Sequence, residues 1–157
     1  MKKLLLACLA LSVVAGCKTK EKQEKEDVQT DSRIEVVVEK TPSVELGCYI
    51  YDANGNLIIL EITDINDSVL GNLSYALKEK DANTGTFAGI LKDSVLLGSY
   101  TFMSEGTEST REVAFLVKGN QLIEGFGELD ETGTAFKDKS TLSFSSSMPL
   151  SKTDCEP

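Results

Sequence analysis

Ser104-Glu105-Gly106-Thr107-Glu108-Ser109-Thr110-Arg111-Glu112 sets one arginine among three carboxylates, between two apolar stretches. Such a stretch is predicted to be a polar loop. Its Arg111 carries the planar fork of donors that holds a carboxylate or phosphate in two-point contact, and binding residues concentrate on loops. Glu105, Glu108, Arg111 and Glu112 are therefore the candidate ligand-binding residues. The simpler expectation for the same residues is a solvated hairpin in which Arg111 pairs with Glu105, Glu108 or Glu112. Further on, Glu124 and Glu128 flank Phe126. With Glu112 on the preceding strand they would form a carboxylate cluster, the raw material of a glycosidase pair or a Ca²⁺ site. An ordinary polar outer face is the simpler expectation, since nothing nearby resembles a calcium loop. Asp52-Ala53-Asn54-Gly55-Asn56 alternates oxygen ligands but lacks the spacing and final glutamate of a helix–loop–helix calcium site, and reads as a hairpin turn. Tyr49, Tyr51, Tyr75 and Tyr100 are candidates to line a cavity, or to pack in a core with their hydroxyls at its rim. The chain has no histidine. Ser-His-Asp and Cys-His catalysis are thus excluded, and the commonest transition-metal ligand is missing. No catalytic residue, metal or cofactor is assigned, and a non-enzymatic protein is expected.

The four cysteines sort by position. Cys17 follows Val14-Ala15-Gly16, which ends an apolar run from Leu4, itself preceded by Lys2 and Lys3. A positive start, a short apolar core and small residues before the cut are a signal peptide's features. A cysteine just after them looks like a bacterial lipobox. An ordinary secretory signal or a short buried helix is the rival. Residues 1–16 are then removed, Cys8 with them, and Cys17 is acylated. Each buried CH2 of its palmitate-type chains adds about 0.8 kcal/mol to membrane anchoring. By resemblance to enterobacterial lipoproteins, Lys18 rather than an aspartate after the cysteine implies the outer membrane, on either its periplasmic or its surface side. Cys48 and Cys155 remain, an even pair in an oxidising compartment, and are predicted to form a disulfide that clamps the ends of the domain.

Removing residues 1–16 takes away Lys2 and Lys3 and no acid, leaving 14 basic and 25 acidic residues and a formal charge of −11. That charge argues against nucleic acid and against docking on anionic lipid through the protein surface. It suits solubility or a basic protein partner.

The elements that must position these groups are strands. Residues 18–33 hold five basic, five acidic and one apolar residue, too little apolar surface to order themselves. With Cys17 and the chain to 46 they are read as a flexible charged tether, a short charged helix being the rival. Ile34–Glu39 is either an added edge strand or part of that tether. From 47 to 157 a single all-β domain is expected. Strands are predicted at 48–52, 56–63, 69–77, 86–91, 95–103, 111–118, 122–129 and 141–144, separated by turn signals, of which Asn54-Gly55 is the strongest. Residues 78–82 are expected to form one helical turn at most. Alternation puts Val69, Leu73 and Tyr75 on one face of their strand, and Leu96, Tyr100 and Phe102 on one face of theirs. Val113, Phe115 and Val117 share a third such face. Glycines at 71, 89, 98, 125 and 127 are read as sites of sharp coiling that closes a barrel. Asp-Ser-Val-Leu opens a strand at 67 and again at 93. A small antiparallel meander β-barrel, lipocalin-like or avidin-like, is expected, with an open β-sandwich as the alternative.

Residues 71–86, Gly-Asn-Leu-Ser-Tyr-Ala-Leu-Lys-Glu-Lys-Asp-Ala-Asn-Thr-Gly-Thr, and 100–115, Tyr-Thr-Phe-Met-Ser-Glu-Gly-Thr-Glu-Ser-Thr-Arg-Glu-Val-Ala-Phe, resemble segments of an uncharacterised family of small bacterial lipoproteins with one C-terminal β domain. The resemblance covers most of 48–128. It implies a small, lipid-anchored, one-domain protein and supplies no catalytic residue. Three functions are then expected, in descending order. The first is a lipid-anchored envelope module that binds a small ligand or a partner. The second is an inhibitor of a basic enzyme such as a lysozyme. The last is a carboxylate-dependent hydrolase.

Overall fold

The computed structural model describes residues 41–155. The signal segment, Cys17, the tether up to residue 40 and the Ile34–Glu39 stretch lie outside the described residues.

Eight strands run in chain order: β1 (Gly47–Ala53), β2 (Asn56–Ile65), β3 (Val69–Ala76), β4 (Asn83–Lys92), β5 (Val95–Ser104), β6 (Thr107–Lys118), β7 (Gln121–Gly125) and β8 (Leu150–Thr153). Each pairs antiparallel with the next, and β8 returns to β1, so the sheet closes into a barrel. This is the meander barrel, and closure removes the unpaired edges an open sandwich would leave. The turns are those that suit right-handed strand twist. Asn54 and Gly55 both take positive φ (57° and 77°), as do Glu105 and Gly106 (49° and 79°), giving two tight two-residue hairpins. Residues 78–80 form a turn, with the Lys80 N–H donating to the Leu77 carbonyl at 3.0 Å, and no helical turn.

The alternating series point inward as their spacing predicts. Leu60, Leu73, Leu96, Phe115, Leu122 and Leu150 are fully buried, each contributing about 1.5–3 kcal/mol of apolar transfer. Gly89 and Gly98 face one another across β4 and β5, and a Cβ on either would meet the Phe87 ring within 2.7 Å. Their bareness makes room for that ring inside the barrel.

Four expectations need correction. First, 104–112 is not a loop. Thr107–Thr110 extend β6 and pair with Thr101–Ser104, helped by the Thr101–Thr110 hydroxyl contact at 3.0 Å, so only Glu105-Gly106 turn. Second, the last strand is β8, not 141–144. Residues 139–141 are a short 3-10 turn capped by Asp138, and Ser143 makes a single bridge to Phe126. Third, β7 stops at Gly125, and the chain from 126 to 149 crosses the outside of β6 and β7. A Cβ on Gly125 would lie 2.5 Å from the Phe144 ring, and one on Gly127 would lie 2.9 Å from Leu142. These two glycines therefore admit a covering segment and do not coil a strand. Fourth, the packed domain begins before Gly47: Val44, assigned to the tether, is 8% exposed and belongs to the core.

The barrel has two unlike ends. Hairpins β2–β3, β4–β5 and β6–β7 gather at one, with Val44 packed into it. There Cys48 and Cys155 form the expected disulfide, their Cα atoms 5.1 Å apart. Hairpins β1–β2, β3–β4 and β5–β6 gather at the other, which is the mouth.

Candidate functional site

Arg111 sits on β6 two residues before Val113, so it continues the inward-facing series 111, 113, 115, 117. Its guanidinium carbon lies 5.2 Å from the Tyr75 ring centre, 5.6 Å from that of Tyr100 and 5.4 Å from that of Phe102. Tyr100 and Phe102 stack at 4.7 Å on β5, and Tyr75 reaches in from β3. Three ring faces thus surround one cation, a contact worth about 0.5–2 kcal/mol where water is excluded. No carboxylate among the described residues forms an ion pair with Arg111. Its Nε is buried and lacks a hydrogen-bond acceptor. Buried polar groups are normally partnered, so this one marks an incomplete site.

Glu124 lies on β7 two residues after the buried Leu122 and points the same way, at 8% exposure. The Tyr75 hydroxyl donates to its Oε1 at 2.9 Å. Burial pushes the Glu124 carboxyl above the usual glutamate value, opposed by that hydrogen bond and by the Arg111 charge. Burial also pushes the Tyr75 phenol well up, and the neighbouring Glu124 adds to the shift. Tyr100 is pushed up to about 12 by burial and donates to Asn83 Oδ1 at 2.8 Å. Tyr75 and Tyr100 therefore stay neutral donors at any physiological pH. Arg111, Glu124, Tyr75 and Asn83 border a half-open cavity of about 390 Å³ at the mouth, whose walls include Ile58, Leu77, Val113 and Met148 together with the charged Lys80 and Asp81. This is within the size range of small-molecule sites.

Of the candidates read from the loop, only Arg111 reaches the interior. Glu105 and Glu108 are exposed at the β5–β6 hairpin and do not pair with it. Glu112, the next residue along, faces outward, accepts the Phe136 N–H at 2.8 Å and pairs with Lys139 at 3.1 Å. Glu128 is exposed and pairs with Lys137 at 3.7 Å. The carboxylate cluster of Glu112, Glu124 and Glu128 does not form, because β7 ends before Glu128 and alternation sends Glu112 and Glu124 to opposite faces of the wall. Tyr49 packs at the far end, its hydroxyl accepting the Glu45 N–H at 3.0 Å, and Tyr51 is half-buried against the core. Of the four tyrosines only Tyr75 lines the cavity, with Tyr100 behind it against the Arg111 guanidinium.

The parity of 111 with 113–117, and of 124 with 122, is the signal that would have sent both charges inward. The polar look of 104–112 hid it. Among the described residues, one group of potential metal ligands converges, Cys48, Glu61 and Cys155, and the disulfide occupies both sulfurs. Comparison of the chain with protein-family models, with curated proteins and with solved structures finds no match.

Proposed function

We propose that this protein is a lipid-anchored module of the bacterial envelope that binds a small ligand, without catalysis, at the mouth of its barrel. Residues 1–16 serve as the signal peptide and Cys17 carries the lipid. The charged tether holds the barrel off the outer membrane. Its resemblance to small bacterial lipoproteins supports the same address. One observation carries the binding reading: Arg111, framed by three aromatic rings and without an ion-pair partner among the described residues, borders an open cavity. A buried donor left without an acceptor, on a guanidinium whose nearest opposite charge, Glu124, acts on it only at a distance, is costly in a structural core and useful in a ligand site.

The test is native mass spectrometry of the full chain, expressed in a bacterium and released from its envelope in mild detergent. A discrete adduct, lost on denaturation and lost in Arg111→Met, is expected. A bare protein mass overturns the binding reading. An unacylated Cys17, or residues 1–16 still attached, overturns the anchor.

A second reading, inhibition of a basic enzyme such as a lysozyme, is favoured by the exposed acids at the mouth, where Glu79, Asp81, Glu105 and Glu108 outnumber Lys78 and Lys80. Lysozyme activity unchanged by excess protein removes it. The hydrolase reading has lost the paired carboxylates it needed.

A further inference from the structure

Arg111 and Glu124 border the same cavity and carry opposite charges, yet they make no ion pair. Tyr75 occupies the place between them, its ring beneath the guanidinium and its hydroxyl on Glu124 Oε1. Taking the mouth as a small-ligand site, as proposed above, the geometry points to a zwitterion as its occupant: an α-amino acid with free carboxylate and ammonium groups and an apolar side chain.

The carboxylate meets the Arg111 guanidinium, which makes no hydrogen bond or ion pair among the described residues. The ammonium meets the remaining oxygen of Glu124. A simple carboxylate would satisfy Arg111 and set a second negative charge before Glu124. A simple amine would satisfy Glu124 and face Arg111. Only a ligand bearing both charges matches both groups at once. Glu112 also touches the cavity's border, but Lys139 and the Phe136 N–H already hold its carboxylate, and Asp81 at the opening is exposed where Glu124 is buried. Ile58, Leu77, Val113 and Met148 supply an apolar wall for the side chain. Around the opening the exposed acids Glu79, Asp81, Glu105 and Glu108 outnumber the exposed Lys78 and Lys80, which disfavours a ligand of net negative charge. A cavity of about 390 Å³ suits a single amino acid.

Isothermal titration of the full chain with matched sets tests this. One set is phenylalanine, phenylalaninamide and 3-phenylpropanoate. The other is leucine, leucinamide and 4-methylpentanoate. We expect saturable binding of at least one amino acid, at least tenfold tighter than of its amide or its deaminated analogue. Glu124→Gln, nearly the same in shape, should narrow the gap between the amino acid and its deaminated analogue and leave the amide's deficit in place. A deaminated analogue that binds as tightly as its amino acid overturns the inference, and so does the absence of binding across both sets. If the Arg111-dependent adduct persists in native spectra in either case, the ligand class is wrong and the mouth remains a binding site. If that adduct is also missing, the site reading itself has failed. The ligand series is run on the unaltered protein, so a poorly folding variant does not obscure the result.

Discussion

The two ends of the barrel use the same kinds of residue for opposite purposes. At the clamped end the buried polar groups are satisfied nearby. Val44 plugs the interior, Tyr49 accepts a backbone N–H from Glu45, Lys152 lies 5.6 Å over the Tyr49 ring, and Cys48 is joined to Cys155. At the mouth two tyrosines and a phenylalanine surround a cation, but the arginine keeps a buried Nε without an acceptor, and Glu124 is desolvated. Both ends hold a cavity, but only the mouth has a buried side-chain donor without an acceptor among the described residues. The lesson is that an aromatic–cation cluster becomes informative only when the accounting of its hydrogen bonds fails to close.

If that contrast is right, damage at the clamped end costs stability and spares binding, and damage at the mouth does the reverse. The largest effect is expected from Cys48→Ser with Cys155→Ser. Opening a cross-link between residues 107 apart should cost up to about 5 kcal/mol on the chain-entropy model. Urea unfolding should report the loss, while ligand affinity below the new transition is unchanged. Tyr75→Phe should cost about 1–3 kcal/mol, because it strips Glu124 of its buried donor. It is the one mouth substitution expected to lower both stability and binding, and a cost below that range would mean water replaces the hydroxyl. Val44→Ala should cost about 1–2 kcal/mol in the same assay and leave native-spectrum adducts intact.

Glu124→Gln sharpens the comparison through pH. Burial raises the folded-state pKa of Glu124 above its ordinary 4.5. The group therefore favours folding fully below that value, where its carboxyl is neutral, and this contribution is lost as pH rises through the folded-state value. Glutamine keeps the acceptor for Tyr75 and removes the titration. Unfolding monitored from pH 4 to 8 should show the variant equal to or up to about 1 kcal/mol more stable than the parent above pH 6, with the difference shrinking towards pH 4. A variant less stable at pH 7 than at pH 4, relative to the parent, would contradict the burial argument. The smallest effect belongs to Glu105→Lys. It lies on an exposed hairpin and should change thermal stability by less than about 0.5 kcal/mol. It should still speed the association of a negatively charged probe at low salt.

Much of the wall was legible in the chain. Residues of β3, β5 and β6 alternate cleanly enough to assign their inner faces, and Asn54-Gly55 fixes its hairpin, because period-two burial and left-handed turns are local properties. β8 was not legible. Leu150-Ser151-Lys152-Thr153 has one core residue, and its strand character comes from pairing with β1 and β7, partners far away in sequence. For the same reason 141–144 looked like a strand. Its apolar residues alternate, but they are used to cover Gly125 and Gly127 from outside.

The sequence by itself determined the all-β class, the disulfide partners, the absence of histidine chemistry, and the parity that sets Arg111 in line with Val113. Only the tertiary structure decided that this parity points into a cavity and that Tyr75 stands between Arg111 and Glu124. It alone parted Glu112 from Glu124. Strand alternation is written in neighbouring residues, but which charges meet across a closed barrel depends on register and closure, and those are fixed by contacts between residues tens of positions apart.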